Sequence, residues 1–461
     1  MKKITVKDII EQCNGNLVYG NSEIECNNFS RDTRTINSGD VYLGIKGEKF
    51  NGSNFYEDAL KKRAKVCILQ DVNIDKKVLE KYTDIAIIKV EDVVKALQQI
   101  AKYKRSLYNI PVIAVTGSVG KTSTKDIITS VVSVKYNTLK TEGNLNNHIG
   151  LPLTILRLKE EEAMVIEMGM NNLGEISLLT DITRPTIAVI TNVGTAHIGN
   201  LGSRENILKA KLEILEALVP DGRVIINNDN DLLNKWNKEN NKYKVVTFGI
   251  ENTSDLTAYD INILQNKSTY SVNINNIKQT IEMPIPSTPF IYNSLCALCI
   301  SNELDIPIEK AKDGIRTFEL SKNRMEVEEV GEVTIINDCY NANYDSMKTG
   351  LEFLTNIQGK RKIAILGDML ELGEYSKELH RKVGEEVANN KIDILIAIGK
   401  ESKNIAQAAR EFGMNEENIY EYNSNIDGIS KINNIKKPKD VILVKASNGM
   451  NFKEIIEKIK Q

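Results

Sequence analysis

Residues 112–124 read VIAVTGSVGKTST. The first five are apolar or β-branched, the pattern of a strand buried on both faces. From Lys121 onward the stretch reads as the first turn of a helix. Between the two lie Gly117 and Gly120, which let backbone N–H groups curl around phosphate oxygens, while the helix N-terminus adds a positive dipole. Lys121 can reach the outer phosphates, and the Thr122 hydroxyl can ligate Mg²⁺. Gly117, Ser118, Gly120, Lys121, Thr122 and Ser123 are therefore candidate ATP-binding residues. The full phosphate-loop pattern has glycine where this chain has Val115, so the loop is the shortened form G-x-x-G-K-T. A plain glycine turn with Lys121 in solvent is the alternative, and the strand before and helix after argue against it. The loop alone does not name a reaction.

Working outward, the chain falls into three blocks. Residues 1–92 are mixed, with short strand-like runs at 66–69 and 85–90. Residues 93–318 alternate strands with helices. Strand candidates there are VIAVTG (112–117), AMVIEMG (163–169), TIAVITNVG (186–194) and RVIINND (223–229). Helices are expected from Lys121, over Glu205–Leu218 and over Tyr292–Leu304, the last after the proline-rich MPIPSTP (283–289), which ends a β-like stretch. Residues 319–461 repeat the alternation with VTIINDCY (333–340), KIAILGD (362–368), DILIAIG (393–399) and VILVKAS (441–447). Short β-branched runs alternating with helices predict an α/β fold with two separate, mostly parallel sheets. No short repeat or low-complexity segment is present, and the asparagine-rich patch 237–241 reads as a surface loop.

Composition narrows the class. With 41% hydrophobic and 26% charged residues the chain reads as a folded soluble protein. A net charge of -2 argues against nucleic acid or an anionic membrane as partner. Without a secretory leader or a run long enough to span a bilayer, a cytoplasmic protein is expected. Six cysteines in 461 residues make no disulfide framework. Cys296 and Cys299 form a CxxC with no second ligand pair in view, so they read as buried thiols on a helix.

Polar signatures begin where strands end: Thr116-Gly117, Glu167, Asn192, Asn228-Asp229, Asp338 and Gly367-Asp368. Ligands of open α/β sheets sit beyond the carboxyl ends of the strands, so a site between two facing domains is expected. Glu167 follows an apolar strand, where a carboxylate is costly unless paired or metal-bound. His197 is one of three histidines, and a lone histidine is more often structural than a ligand. Lys211, in ILKAKLEIL, reads by spacing as a helix-surface lysine near Glu213 and Glu216.

Taken together and in order, these segments resemble the Mur ligase family, whose members join amino acids to a nucleotide-linked muramoyl peptide. TGSVGKTST resembles its ATP loop, and NVGTAHIGNLGS (192–203) with KAKLEI (209–214) resembles its histidine and lysine block. The resemblance implies that Lys211 carries a carbamate made with CO₂ and, with His197, holds a second Mg²⁺, while Thr122 and Glu167 hold the first. GNLNNHIGLPLTIL (143–156), DCYNANYDSM (338–347) and LGDMLELGEYSKELH (366–380) resemble the members that add D-alanyl-D-alanine. SRDTRTINSGDVYLGIKGEKFNG (30–52) resembles the block that grips the uridine nucleotide, with Ser30, Asp32, Thr33 and Arg34 as candidate contacts. The implied organisation is a small mixed α/β uridine-nucleotide domain (1–92), a central phosphate-loop ATPase domain (93–318) and a Rossmann-like C-terminal domain (319–461).

By the same resemblance Arg324 reaches the γ-phosphate, Asp338 and Asn293 hold the nucleoside, and Asn146 contacts substrate. Asn341, Asn343 and Asp368 are candidates for the dipeptide. A salt bridge from Arg324 to Glu326 or Glu328 is the alternative for that residue, and His380 is open between a functional role and packing. The chain departs from the family at Pro289-Phe290, where a histidine and an asparagine are usual, at Tyr344 in place of proline and at Ala446 in place of glycine. A monomer with small-molecule substrates, closing about a hinge near residue 318, is expected. Rival readings are a related ligase with another amine, a nucleotide-binding switch and a small-molecule kinase.

Overall fold

The computed structural model describes residues 2–460. Its middle is a seven-stranded, all-parallel sheet. The strand order is Leu256–Thr257, Lys244–Gly249, Arg223–Asn227, Ile187–Ile190, Val112–Thr116, Ala163–Glu167, Thr138–Lys140. The strand at 112–116 is central and buried throughout, as its unbroken apolar run predicts. The next two strands in the chain, Thr138–Lys140 and Ala163–Glu167, lie on one side of it and the later ones on the other, so its carboxyl end is a topological switch point.

The C-terminal sheet has six strands, Glu326–Val330, Val333–Asn337, Asp440–Lys445, Arg361–Gly367, Ile394–Ile398 and Ile419–Tyr422. Its first two form an antiparallel hairpin, and the other pairs are parallel. The N-terminal sheet has five strands in the order Asn16–Gly20, Ala86–Lys89, Val66–Leu69, Val41–Leu43, Phe29–Ser30, all parallel except the first pair. The fold is α/β with two mostly parallel sheets flanking the expected site, as the alternation of strand and helix predicted.

Some local expectations change. The three-stranded antiparallel sheet Tyr259–Ile263, Ser268–Ile274, Ile277–Met283 appears only as a β-like stretch in sequence. The helix expected over 205–218 runs Arg204–Leu212 and tightens into a 3₁₀ turn at Glu213–Leu215. There the buried Glu213 carboxylate accepts N–H bonds from Gly174 (2.7 Å) and Ser177 (3.1 Å), capping the neighbouring helix Glu175–Thr183. The asparagine patch at 237–241 is not wholly loop, because the helix Asp231–Glu239 takes in Asn237.

The helix Thr288–Glu303 starts four residues before its expected start, with proline in its first turn, where the missing N–H costs nothing. It buries Cys296 and Cys299, whose thiols are pushed up by burial. Residue 92 is an N-cap: the Asp92 carboxylate accepts from the N–H groups of Val94 and Lys95 to open the helix Val93–Ser106. Past residue 318, Ser321 donates from its N–H and hydroxyl to Asp126, tying the connection to the C-terminal sheet onto the central domain.

Candidate active site between the central and C-terminal domains

The phosphate loop is shaped by contacts that sequence alone does not show. Gly117 passes so near the next strand that a Cβ would lie 1.9 Å from Thr191 Oγ1. Gly120, at φ 80°, opens the helix Lys121–Ser133 in a left-handed conformation that glycine adopts without strain. Asn192, two residues past the neighbouring strand, accepts the N–H bonds of Ser118 and Val119 at 3.1 and 2.9 Å and returns one to Val119 O. Gly194 N–H donates to Ser118 Oγ at 2.9 Å. Lys121 Nζ donates to Gly117 O at 2.8 Å. Burial lowers the Lys121 pKa, the Arg324 charge lowers it further, and Glu167 opposes both.

Glu167 is 2% exposed and both its oxygens are held: Thr122 Oγ1 donates to one at 2.9 Å and Asn146 Nδ2 to the other at 2.8 Å. A hydroxyl and a carboxylate thus meet at the mouth of the phosphate loop. On the next helix Asn293 Oδ1 accepts from Thr124 Oγ1 at 2.9 Å. Pro289, Phe290 and Asn293 line the same cavity.

His197 stands at φ 63° before the short helix Ile198–Leu201. Burial pushes its pKa down to about 4, with the Lys121 and Lys211 charges adding to the effect, so the ring is neutral near pH 7. Its Nδ1–H faces Glu371 Oε2 of the C-terminal domain at 3.1 Å, which leaves the Nε2 lone pair free. Lys211, expected at a helix surface, is 1% exposed. Glu213 and Glu216 do not pair with it, being engaged on the helix Glu175–Thr183. Its amine has no hydrogen-bond or ion-pair partner among the described residues, and burial, with the Lys121 charge adding, drives its pKa well below 10.5. It sits behind the cavity wall rather than in its lining.

The opposite wall comes from the C-terminal domain. Arg324 makes no ion pair with Glu326 or Glu328. Its guanidinium lies 3.8 Å from the centre of the Tyr340 ring, a stack suited to Arg and not to Lys. Asp338 accepts from buried Lys445 Nζ at 2.6 Å, and Lys445 also donates to Asn341 O at 3.0 Å. Asn341 and Asn343 line the cavity, and the Asn343 side chain also caps the helix Tyr344–Asn356.

Asp368 does not face the cavity. Its carboxylate accepts the N–H groups of Lys400, Glu401 and Ser402 and organises a neighbouring loop. His380 is wholly buried, accepting Met369 N–H at Nε2 and donating from Nδ1 to Ser376 O, which settles it as a packing residue. The N-terminal residues Ser30, Asp32, Thr33 and Arg34 also lie outside the cavity lining. There the Arg34 guanidinium clamps Asp32 and holds its carboxyl down at about 2.

The cavity between the two domains measures about 1020 Å³. It brings together Ser118, Gly120, Lys121, Thr122, Ser123, Asn146, Glu167, His197, Asn293, Arg324, Asp338, Asn341 and Asn343 from the residues expected in sequence. Gly117 lies beneath the loop. Asn192, Tyr340, Asp345 and Glu371 were not assigned from sequence. Asn192 had a signal, its place at a strand end. The other three act on residues outside their own segment, which no local pattern records.

Residues 115–301 match the Mur ligase middle domain, 323–448 the Mur ligase glutamate ligase domain and 27–105 the Mur ligase catalytic domain. The chain belongs to the Mur ligase family. It is 35% identical to the UDP-N-acetylmuramoyl-tripeptide–D-alanyl-D-alanine ligase of Bacillus subtilis, over 99% of this chain and 98% of that one. The crystal structure of MurF from Acinetobacter baumannii superposes with a TM-score of 0.89 at 27% identity, covering 100% of this chain and 99% of the other. The ADP complex of MurF from Thermotoga maritima gives 0.81 at 27% identity, covering 94% and 97%. The three-domain Mur ligase architecture therefore holds along the whole chain, and this Mur ligase keeps the shortened phosphate loop on the central strand. Among the described residues, no helix is long and apolar enough to cross a membrane.

Proposed function

We propose that this Mur ligase uses ATP to join D-alanyl-D-alanine to UDP-N-acetylmuramoyl-tripeptide, releasing ADP and phosphate. The observation that carries the reading is the meeting, in one cavity, of a phosphate loop from one domain with Arg324, Asp338 and Asn341 from another. A switch needs only the loop. The named relatives supply the substrates.

A carboxylate is a poor acylating agent, because oxide is a poor leaving group. In this reading the tripeptide carboxylate attacks the γ-phosphorus and ADP leaves. The amine of the dipeptide then adds to the acyl carbon, loses a proton, and the tetrahedral adduct expels phosphate. Lys121 and the loop amides cradle the phosphates, with the loop shape held by Asn192. Arg324, kept flat by Tyr340, meets the transferring group from the far side. The two domains shut water out while the acyl phosphate lives.

The donors present fit magnesium. Thr122 and Glu167 offer a hydroxyl and one carboxylate, and Mg²⁺ commonly takes one or two carboxylates plus phosphate oxygens and water. Among the described residues no cluster of three His, Cys, Asp or Glu side chains competes as a dedicated cage. When bound, the ion spreads the charge of the transferring phosphate. For a second ion, His197 supplies a neutral ring whose other nitrogen is oriented by Glu371. Lys211 joins it in this reading only as a carbamate. Burial favours the neutral form of its unpartnered amine, the form that adds to the carbon of CO₂, losing a proton and leaving an anion. In this reading the reaction runs in the cytoplasm and the protein acts as a monomer.

The test is phosphate release from Mg-ATP and the nucleotide-linked tripeptide, with and without D-alanyl-D-alanine. Release that needs both, with a product heavier by one dipeptide less water, supports the reading. Release that accepts other amines keeps the ligase and overturns the substrate. Release indifferent to amine and tripeptide overturns both.

A further inference from the structure

The loop NVGTAHIGNLGS contains three glycines, at 194, 199 and 202. Gly202 has φ 78° and open space around it, so it is needed for its backbone conformation. Gly194 and Gly199 have no such backbone demand, because neither takes a positive φ. Each is instead crowded, and the crowding comes from the other domain. A Cβ on Gly199 would stand 2.5 Å from Glu371 O, 2.7 Å from Gly373 N and 2.7 Å from Leu372 C. A Cβ on Gly194 would stand 2.3 Å from Asp345 Oδ2.

The same short loop receives the polar contacts that cross the cleft here. Asp345 accepts from Thr195 N–H at 2.8 Å and from its hydroxyl at 2.9 Å. Tyr375 OH donates to Gly202 O at 2.6 Å, and His197 meets Glu371. The other end of the loop grips the phosphate loop, through Asn192 on the amides of Ser118 and Val119 and Gly194 N–H on Ser118 Oγ. One segment therefore joins the docked C-terminal domain to the phosphate-binding backbone.

We infer that Gly199, with Gly194 in support, is a positioning residue: a bare socket into which the Glu371–Gly373 turn seats when the C-terminal domain docks. Its missing side chain serves the docked arrangement and not the central domain's own fold. The partner atoms at Gly199 are backbone, which cannot swing aside. With alanine there, the turn must retreat by about 0.9 Å to reach ordinary contact at 3.4 Å. That displacement is carried to Arg324, Asp338 and Glu371, which ride on the same domain. At Gly194 the obstacle is a carboxylate that can rotate, so the effect there is smaller.

Gly199→Ala tests this. Alanine is the better helix former, and Gly199 sits in the short helix Ile198–Leu201, so the central domain keeps its fold. Thermal stability should match the wild type, and Mg-ADP should still bind through the phosphate loop of the central domain. Amide formation should fall by roughly a hundredfold, the order lost when reacting groups are misplaced by about 1 Å. Phosphate released per amide formed should rise, because water reaches the acyl phosphate in an unseated cleft. This kinetic arm rests on the ligase reading.

Small-angle scattering with magnesium and a non-hydrolysable ATP analogue does not rest on it. It should show a compact wild type and a more open variant. Tyr375→Phe, which removes one hydroxyl from the same seam, should shift both readouts in the same direction. Wild-type ligation with an unchanged phosphate-to-amide ratio in Gly199→Ala would overturn the inference. So would loss of Mg-ADP binding together with stability, since the glycine would then serve the central domain itself.

Discussion

Replacing Lys211 with methionine is expected to stabilise the protein while abolishing ligation. The side chain is 1% exposed, its amine has no acidic partner, and burial lowers its pKa well below the ordinary value, so the fold disfavours the charged form. Burying an unpartnered amine costs stability wherever the unfolded chain carries the proton and the folded chain resists it. Methionine fills a similar volume and carries no such penalty, so a gain of roughly 1–3 kcal/mol, the cost of an unsatisfied buried polar group, is expected at pH 7.

The sign of the pH dependence follows from proton counting. The unfolded chain holds this proton up to the ordinary pKa and the folded chain gives it up at a lower pH, so within that window unfolding takes up a proton. Wild-type stability must rise with pH through that window. The advantage of Lys211→Met should shrink as pH rises toward the ordinary pKa of 10.5. Urea unfolding followed by the single tryptophan, Trp236 in the central domain, reads this directly in CO₂-depleted buffer. Added bicarbonate should stabilise the wild type and leave the variant unmoved. A variant that unfolds earlier than wild type at pH 7, or a gap unchanged between pH 7 and pH 9, would mean a charged and partnered amine and would refute the reasoning.

Gly117→Ala drives a methyl to 1.9 Å from Thr191 Oγ1, so a fluorescent ADP analogue should bind about a hundredfold more weakly, and unchanged affinity would contradict the loop geometry. Arg324→Lys keeps the charge but loses the flat stack on Tyr340. Turnover should drop by about a hundredfold with Mg-ADP affinity little changed, a split that steady-state and binding measurements resolve. Asp338→Asn leaves the Lys445 ammonium buried without its counter-ion, at a cost of about 3–5 kcal/mol. Hydrogen exchange should then show lost protection along the strand Asp440–Lys445 before other strands, and uniform protection would argue against the pair as a keystone.

The alternation of short apolar runs with helices was enough to place the inner parallel strands, because a strand covered on both faces must be apolar throughout, but Thr138–Lys140, Lys244–Gly249, Leu256–Thr257 and Ile419–Tyr422 were not placed. The antiparallel sheet at 259–283 was not legible. Its strands have one covered face and one wet one, and runs such as STYSVNI (268–274) and IKQTIEM (277–283) mix polar residues into the pattern. Site residues on the central sheet were legible because they follow strand ends. Spacing misread Lys211 as a surface residue, since a lysine on a helix faces water by default and only packing decides otherwise. Asp368 was read as facing substrate for the opposite reason: it follows a strand, yet its carboxylate is drawn to three free N–H groups of a neighbouring loop.

The sequence by itself determined the phosphate loop, the strand-and-helix alternation of two blocks and the family that these segments resemble. Those properties are local, written in residues within a few positions of one another. Only the tertiary structure decided the burial of Lys211, the pairing of Asp338 with Lys445 and the meeting of His197 with Glu371. These depend on which distant groups share a buried volume. Coulomb and desolvation energies are set by distance in space and by exclusion of water, and neither is recorded in the order of the residues.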